Sequence, residues 1–199
     1  MNDTLTFAGF STSPLELVSF VLSVIMVLLN IRQNHWGWLL GIVSSATYGL
    51  VFFNARLYGD ASLQLVFIAS SLWGWYQWLA GRGESKLMVS RLEGQGWAWS
   101  AGAWVLGFAA LAAFLGAYTN TDVPHADGFL TAGSLLGTVL LARKKVENWH
   151  VWIAVDVLYV GLYVYKGLML TAILYAVFVA MAVAGLRAWA TIEQAGAAR

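Results

Sequence analysis

The sequence predicts an all-α integral membrane protein in which two similar three-helix bundles flank one linker helix. Three observations lead there. The chain is 60% hydrophobic and 11% charged, with a mean hydropathy of +0.69, far from the balance of soluble domains. Seven apolar segments approach the length that crosses a bilayer. The chain also repeats itself, without gaps, at an offset of 111 positions.

Taken in order, the predicted spans cover residues 15–31, 36–53, 61–80, 97–118, 128–142, 149–165 and 168–189. All belong to one membrane domain, with a first bundle over 15–80, a linker helix over 97–118 and a second bundle over 128–189. The N-terminal stretch has no basic residue before the first apolar run, so it reads as a translocated end ahead of a first span rather than a secretory leader. A polar loop over 81–96 and a second loop around Pro124 bracket the linker, and residues 190–199 read as a short frayed tail. Many of the eleven tryptophans fall near segment ends, as expected of an interfacial aromatic belt.

Seven crossings place the termini on opposite sides. One side collects Arg32, Arg82, Lys86, Arg91, Arg143, Lys144, Lys145, Arg187 and Arg199, and the other only Arg56 and Lys166. The basic side is predicted to be cytoplasmic, with the N-terminus outside.

The repeat aligns residues that apolar composition alone does not bring together. Arg32 pairs with Arg143, Trp38 with Trp149, Tyr48 with Tyr159, Gly74 with Gly185 and Trp78 with Trp189. Three spans plus one linker make an even number, so the second half enters the membrane in the same sense as the first. Parallel halves of this kind hold a substrate near the midplane between them.

One stretch then carries the chemistry. Trp149, Trp152, Asp156 and Tyr159 share one helical face, and Asp156 falls in the middle of its span. A carboxylate at that depth costs roughly 2.5–3.5 kcal/mol on insertion scales and requires a partner or a wet cavity. Aromatic faces beside a carboxylate suit a flat, cationic, polar molecule. The plainer alternative is that Asp156 bonds a neighbouring helix and the tryptophans are interfacial. Opposite Asp156 the repeat places Ser45, so only one half carries the charge.

Further candidates to line a path are Ser19, Ser23 and Asn30 on the first span, Ser44, Ser45 and Tyr48 on the second, and Ser70, Trp73 and Gln77 on the third. Thr131, Ser134 and Thr138 stripe the fifth, Tyr159 and Tyr163 the sixth, and Thr171 and Tyr175 the seventh. Hydroxyls in membrane helices also bond the carbonyl one turn back, which is the simpler role for any one of them. Glu16, Asp60 and Asp127 sit where helix N-termini favour acids. The fourth span, rich in Ala, Gly and Leu, reads as packing only.

The absence of cysteine excludes disulfides and thiolate chemistry. His35, His125 and His150 lie in or near loops without metal-ligand spacing. A membrane enzyme would need acid, base or metal groups clustered at one depth, and only Asp156 is deep. A retinal-type receptor or sensor would need a lysine deep in the last span, and 168–189 has none. A purely structural subunit would leave the cost of Asp156 unexplained.

With the motif Trp149-x-x-Trp152-x-x-x-Asp156, the chain resembles the PnuC family of vitamin transporters. Leu57-Tyr58-Gly59-Asp60, Gly74-Trp75-Tyr76-Gln77-Trp78 and the run from Arg143 to Trp149 support the likeness. The resemblance implies a 3+1+3 parallel repeat like that of SWEET transporters, a bacterial inner-membrane location and a homotrimer. It also implies downhill transport of a vitamin precursor, typically nicotinamide riboside, trapped afterwards by a cytoplasmic kinase. No cofactor and no nucleic-acid partner are implied. Trp149 and Trp152 would stack on the substrate ring and Asp156 would bind its polar atoms. Nicotinamide riboside members carry Asn at this last position. Asp only accepts hydrogen bonds, which suits a donor-bearing or cationic group and leaves thiamine, carried by PnuT-type members, as the alternative substrate.

Overall fold

The computed structural model describes the backbone of residues 5–7, 10–12, 14–54, 58–80, 87–119, 121–165, 167 and 169–198, and the side chains of 18, 20–50, 53, 61–80, 87–119, 121–165, 167, 169, 171–196 and 198. The expectations for Glu16, Ser19, Arg56, Leu57, Asp60, Arg82, Lys86, Lys166, Leu168 and Arg199 fall outside these residues or side chains.

Helices α1 (Pro14–Ile31), α2 (Trp36–Asn54), α3 (Tyr58–Ala80), α4 (Gly94–Tyr118), α5 (Pro124–Ala142), α6 (Asn148–Tyr165) and α7 (Met169–Ala197) account for the predicted segments. Ahead of them, β1 (Leu5–Phe7) and β2 (Phe10–Thr12) pair antiparallel, with Leu5 opposite Thr12. This hairpin lies outside the predicted helical segments. Among the described residues, α4 and the stretch Thr171–Gly196 of α7 are long and apolar enough to cross a membrane by composition alone, with mean hydropathies of 1.7 and 1.8.

Two boundaries correct the sequence reading. Pro124, expected in a loop, is the first residue of α5, where its missing N–H costs nothing. Asp127 lies in that helix's first turn and accepts a hydrogen bond from the Thr121 hydroxyl, the N-terminal placement expected of it. The end of the chain is not frayed from residue 190, because α7 runs on to Ala197. Glu193 on this extension meets Arg91 at 3.0 Å.

Consecutive helices pack within each half, α1 on α2, α2 on α3, α5 on α6 and α6 on α7, while α4 lies chiefly against α5. Gly128 permits that last approach, since a Cβ there would sit 2.8 Å from the Ala112 Cα. The halves meet through α1 with α7 and through α3 with α5. The outer face of α4 exposes Trp99, Val105 and Leu106, as befits a helix turned to lipid.

The connections after α1 and α5 are built alike. Both helices end in a Schellman motif with a non-glycine residue in the left-handed region, Gln33 at φ 54° and Lys144 at φ 50°. Asn34 N–H bonds Leu29 O at 2.8 Å and Lys145 N–H bonds Leu140 O at 2.9 Å. These tight reversals send the chain straight into α2 and α6.

Trp78 and Trp189 meet across the halves with ring centroids 6.3 Å apart, and each also pairs within its own half. Trp38 and Trp78 meet edge to face at 5.5 Å and 89°, and Trp149 and Trp189 at 5.5 Å and 88°. Trp149 lies directly over Gly185, where a Cβ would fall 2.7 Å from its ring, and the Trp38 ring lies over Gly74 in the same way. Each edge-to-face pair is worth about 0.5–1.5 kcal/mol beyond the area it buries. Trp38, Trp78, Trp149 and Trp189 are 0–5% exposed. The aromatic-belt expectation is therefore corrected for these four, which form the core of one end of the bundle together with Leu141, Ala142, Val146 and Ala182.

Candidate functional site

A cavity of about 470 Å³ lies between the halves. Its walls come from α1, α2 and α3 on one side and α5, α6 and α7 on the other, and no α4 residue takes part. Leu141, Trp149 and Ala182 belong both to the cavity wall and to the tryptophan core, so that core seals one end. Tyr48, Gln64, Tyr163 and Thr171 stand toward the other, where Tyr48 is 43% exposed.

Helix α6 supplies the spine of the site. Trp149, Trp152, Asp156, Tyr159 and Tyr163 all line the cavity, following the helical spacing read from the sequence. Asp156 is 5% exposed and makes no hydrogen bond or ion pair among the described residues. Charged groups are costly to bury unpaired, so a carboxylate at this position calls for a partner or for water in the cavity that it faces.

The two motif tryptophans differ in what they offer. Trp149 is 3% exposed and fixed between Gly185 and Trp189, so it forms the floor. The partly buried Trp152 lies over Gly137, where a Cβ would come within 2.9 Å of its Cε2. Its ring is the more exposed of the two. Beyond Asp156, Tyr159, Tyr163 and Tyr175 form a box with centroid distances of 4.7–5.7 Å, and Phe178 closes it at 5.5 Å from Tyr175.

The opposite wall is hydrogen-bonding in character, with Ser23, Asn30, Ser44, Ser45 and Gln64 among its residues. The cavity thus sets aromatic rings and a carboxylate on the second half against hydroxyls and amides on the first.

Of the sequence candidates, Trp149, Trp152, Asp156, Tyr159, Ser45 and Tyr48 are brought together here. Three are not. Trp73 packs against the tryptophan core with the Arg143 guanidinium 5.8 Å from its ring centroid. Gln77 lies one turn further along the same helix. The cavity face of α3 is formed by Gln64 and Phe67, and six to ten residues of helix displace Trp73 and Gln77 by roughly 9–15 Å along the axis. Thr138 is buried and donates to Ser134 O at 2.8 Å, the local hydroxyl-to-carbonyl bond that membrane helices favour. Gln64, Phe67, Met26 and Phe178 were missed. The repeat could have found Phe67 and Phe178, which pair at the same offset and both line the cavity.

The family model described as nicotinamide mononucleotide transporter matches residues 13–191. The riboflavin/roseoflavin transporter RibM of Streptomyces davaonensis is 30% identical over 183 residues, 87% of this chain and 83% of that protein. The nicotinamide riboside transporter PnuC of Escherichia coli is 23% identical over 210 residues, 91% of this chain and 87% of its own. A crystal structure of the vitamin B3 transporter PnuC matches with a TM-score of 0.70 at 21% identity, covering 89% of this chain and 80% of that one. The likeness to that structure is one of fold. These relatives are transporters, not enzymes.

Proposed function

From a chain that belongs to the nicotinamide mononucleotide transporter (PnuC) family of membrane transporters, we propose a vitamin-precursor facilitator that binds its substrate between two three-helix halves and works by alternating access. The observation that carries this reading is Asp156, a buried carboxylate without a partner among the described residues, which lines the same 470 Å³ cavity as the Trp152 ring. A flat heteroaromatic bearing a positive charge or N–H donors, with a hydroxylated arm, matches the two walls. Nicotinamide riboside has this chemistry. Riboflavin is the second reading, favoured by the 30% identity to RibM and by a volume ample for three fused rings.

The proposed architecture is seven spans in a 3+1+3 parallel repeat, residues 15–80 and 128–189 forming the halves and 97–118 the linker. Its support is the recurrence at one offset of the Schellman turns, the Trp-over-Gly contacts and the edge-to-face pairs. The sealed end carries Arg32, Arg143, Lys144, Lys145 and Arg187, so by the positive-inside rule it is cytoplasmic and the cavity faces outward. In the proposed cycle the tryptophan core parts to open the inner side once the substrate is bound.

The test is uptake into proteoliposomes of nicotinamide riboside, riboflavin and thiamine, without ATP or an ion gradient. Equilibration of one of them, abolished with Trp152→Ala, supports the reading. No uptake of any by folded protein overturns it.

A further inference from the structure

We propose that Met26 and Gly41 set the width of the slot in which the flat part of the substrate lies against Trp152, and so decide the ring size that the site accepts. This rests on the substrate site proposed above.

Two glycines mark equivalent helix crossings in the two halves. In the second half, Trp152 of α6 lies over Gly137 of α5, where a Cβ would be 2.9 Å from Trp152 Cε2 and 3.2 Å from its Nε1. No side chain fits at 137 while that indole is in place. At the repeat offset, position 152 corresponds to Gly41 and position 137 to Met26. The first half therefore uses the same helix crossing with the sizes exchanged. The large residue is on its first helix and the glycine on its second. The thioether lies close to that glycine, since a Cβ on Gly41 would be 3.7 Å from Met26 Sδ and 3.4 Å from Ser71 Oγ.

Met26 and Trp152 both line the cavity, whereas Gly41 and Gly137 do not. The exchange thus leaves the cavity an indole wall on one half and a thioether on the other. An indole at 41, in the place that Trp152 takes in its own half, would add a second rigid ring. Gly41 keeps that ring out, and Met26 fills the space with an unbranched, polarizable chain that can repack and that favours contact with aromatic rings. A substrate ring against Trp152 would meet a soft boundary on the first half, and the reach of Met26 limits its size.

The experiment is a tryptophan-fluorescence titration of the full chain in detergent with two probes, nicotinamide riboside with one ring and riboflavin with three. Wild type, Met26→Ala and Met26→Leu are compared. Shortening residue 26 to Ala is expected to change the ratio of the two dissociation constants by up to about tenfold in favour of riboflavin, the span of a sulfur–aromatic contact. Met26→Leu, which keeps the volume, is expected to hold the ratio within about threefold. A ratio unchanged by Met26→Ala, with binding intact, overturns this proposal and leaves the substrate site standing. Failure of folded wild type to bind either probe overturns this proposal, and failure to bind thiamine as well overturns both.

Discussion

The Trp189 indole donates to the carbonyl oxygen of Ile31 across 3.0 Å, joining the last helix of one half to the last residue of the other half's first helix. The counterpart bond runs the opposite way. Trp78 donates to Ala142 O at 3.2 Å and to Leu141 O at 3.3 Å. Ile31 and Ala142 each end a helix, where carbonyls lack intrahelical partners. The indoles satisfy these carbonyls, and both bonds lie at the sealed end of the cavity.

If these bonds hold that end shut, Trp189→Phe keeps a ring but strands the Ile31 carbonyl. A buried acceptor left unpaired costs about 1–3 kcal/mol, and the closed state should lose population accordingly. The chain has no cysteine, so a single cysteine introduced at Ala182 gives a clean reporter. Its labelling by an impermeant thiol reagent from the basic side should accelerate in the Trp189→Phe background. Unchanged labelling would show that the bond is not a gate.

Asp156→Asn removes the charge and retains the size. Bonds to charged groups contribute about 1.5–3 kcal/mol, so a cationic substrate should bind roughly ten- to a hundredfold more weakly, while a neutral one should change little. Parallel titrations with nicotinamide riboside and riboflavin separate these cases. Equal affinity of wild type and variant for the cation would remove charge pairing from the account.

Gly185→Ala places a methyl group 2.7 Å from the Trp149 ring, which Trp189 holds from the other direction. Overpacking of this kind costs about 1–3 kcal/mol. Gly161, by contrast, has nothing within 4 Å of an added Cβ, and Gly161→Ala should be neutral or slightly stabilising because alanine is the better helix former. Thermal unfolding in detergent checks both, and a drop for Gly161 equal to that for Gly185 would contradict the packing.

Glu147 is 4% exposed and accepts from the Leu92 N–H at 3.0 Å. Nearby, Ser90 N–H bonds Lys144 O and Val146 N–H bonds Ser90 O, so the segment before α4 is strapped to the α5–α6 connection. Glu147→Ala should lower the melting temperature by the loss of a charge-assisted bond, about 1.5–3 kcal/mol. Glu147→Gln retains an acceptor and should lose less. An equal loss in both variants would assign the effect to the charge instead.

The helical class, the seven segments, the family likeness and the shared face of Trp149, Trp152, Asp156 and Tyr159 on α6 are legible in the chain alone. These properties are written along the chain, in hydropathy, in a 3.6-residue period and in a repeat at constant offset, and need no knowledge of neighbours. What the tryptophans do depends on packing between helices. Interfacial and core tryptophans have the same composition and the same place near helix ends. Trp78 and Trp189 become core because carbonyls of the opposite half stand within reach of their N–H groups. Depth was hidden for a similar reason. Trp73 and Gln77 share a helix with Gln64 and Phe67, but the axial level of the cavity depends on how α3 is set against the other half, and no period within α3 encodes that. The pairing of Met26 with Gly41 was equally out of view, because close packing between helices depends on which side chain fills the gap that a glycine leaves.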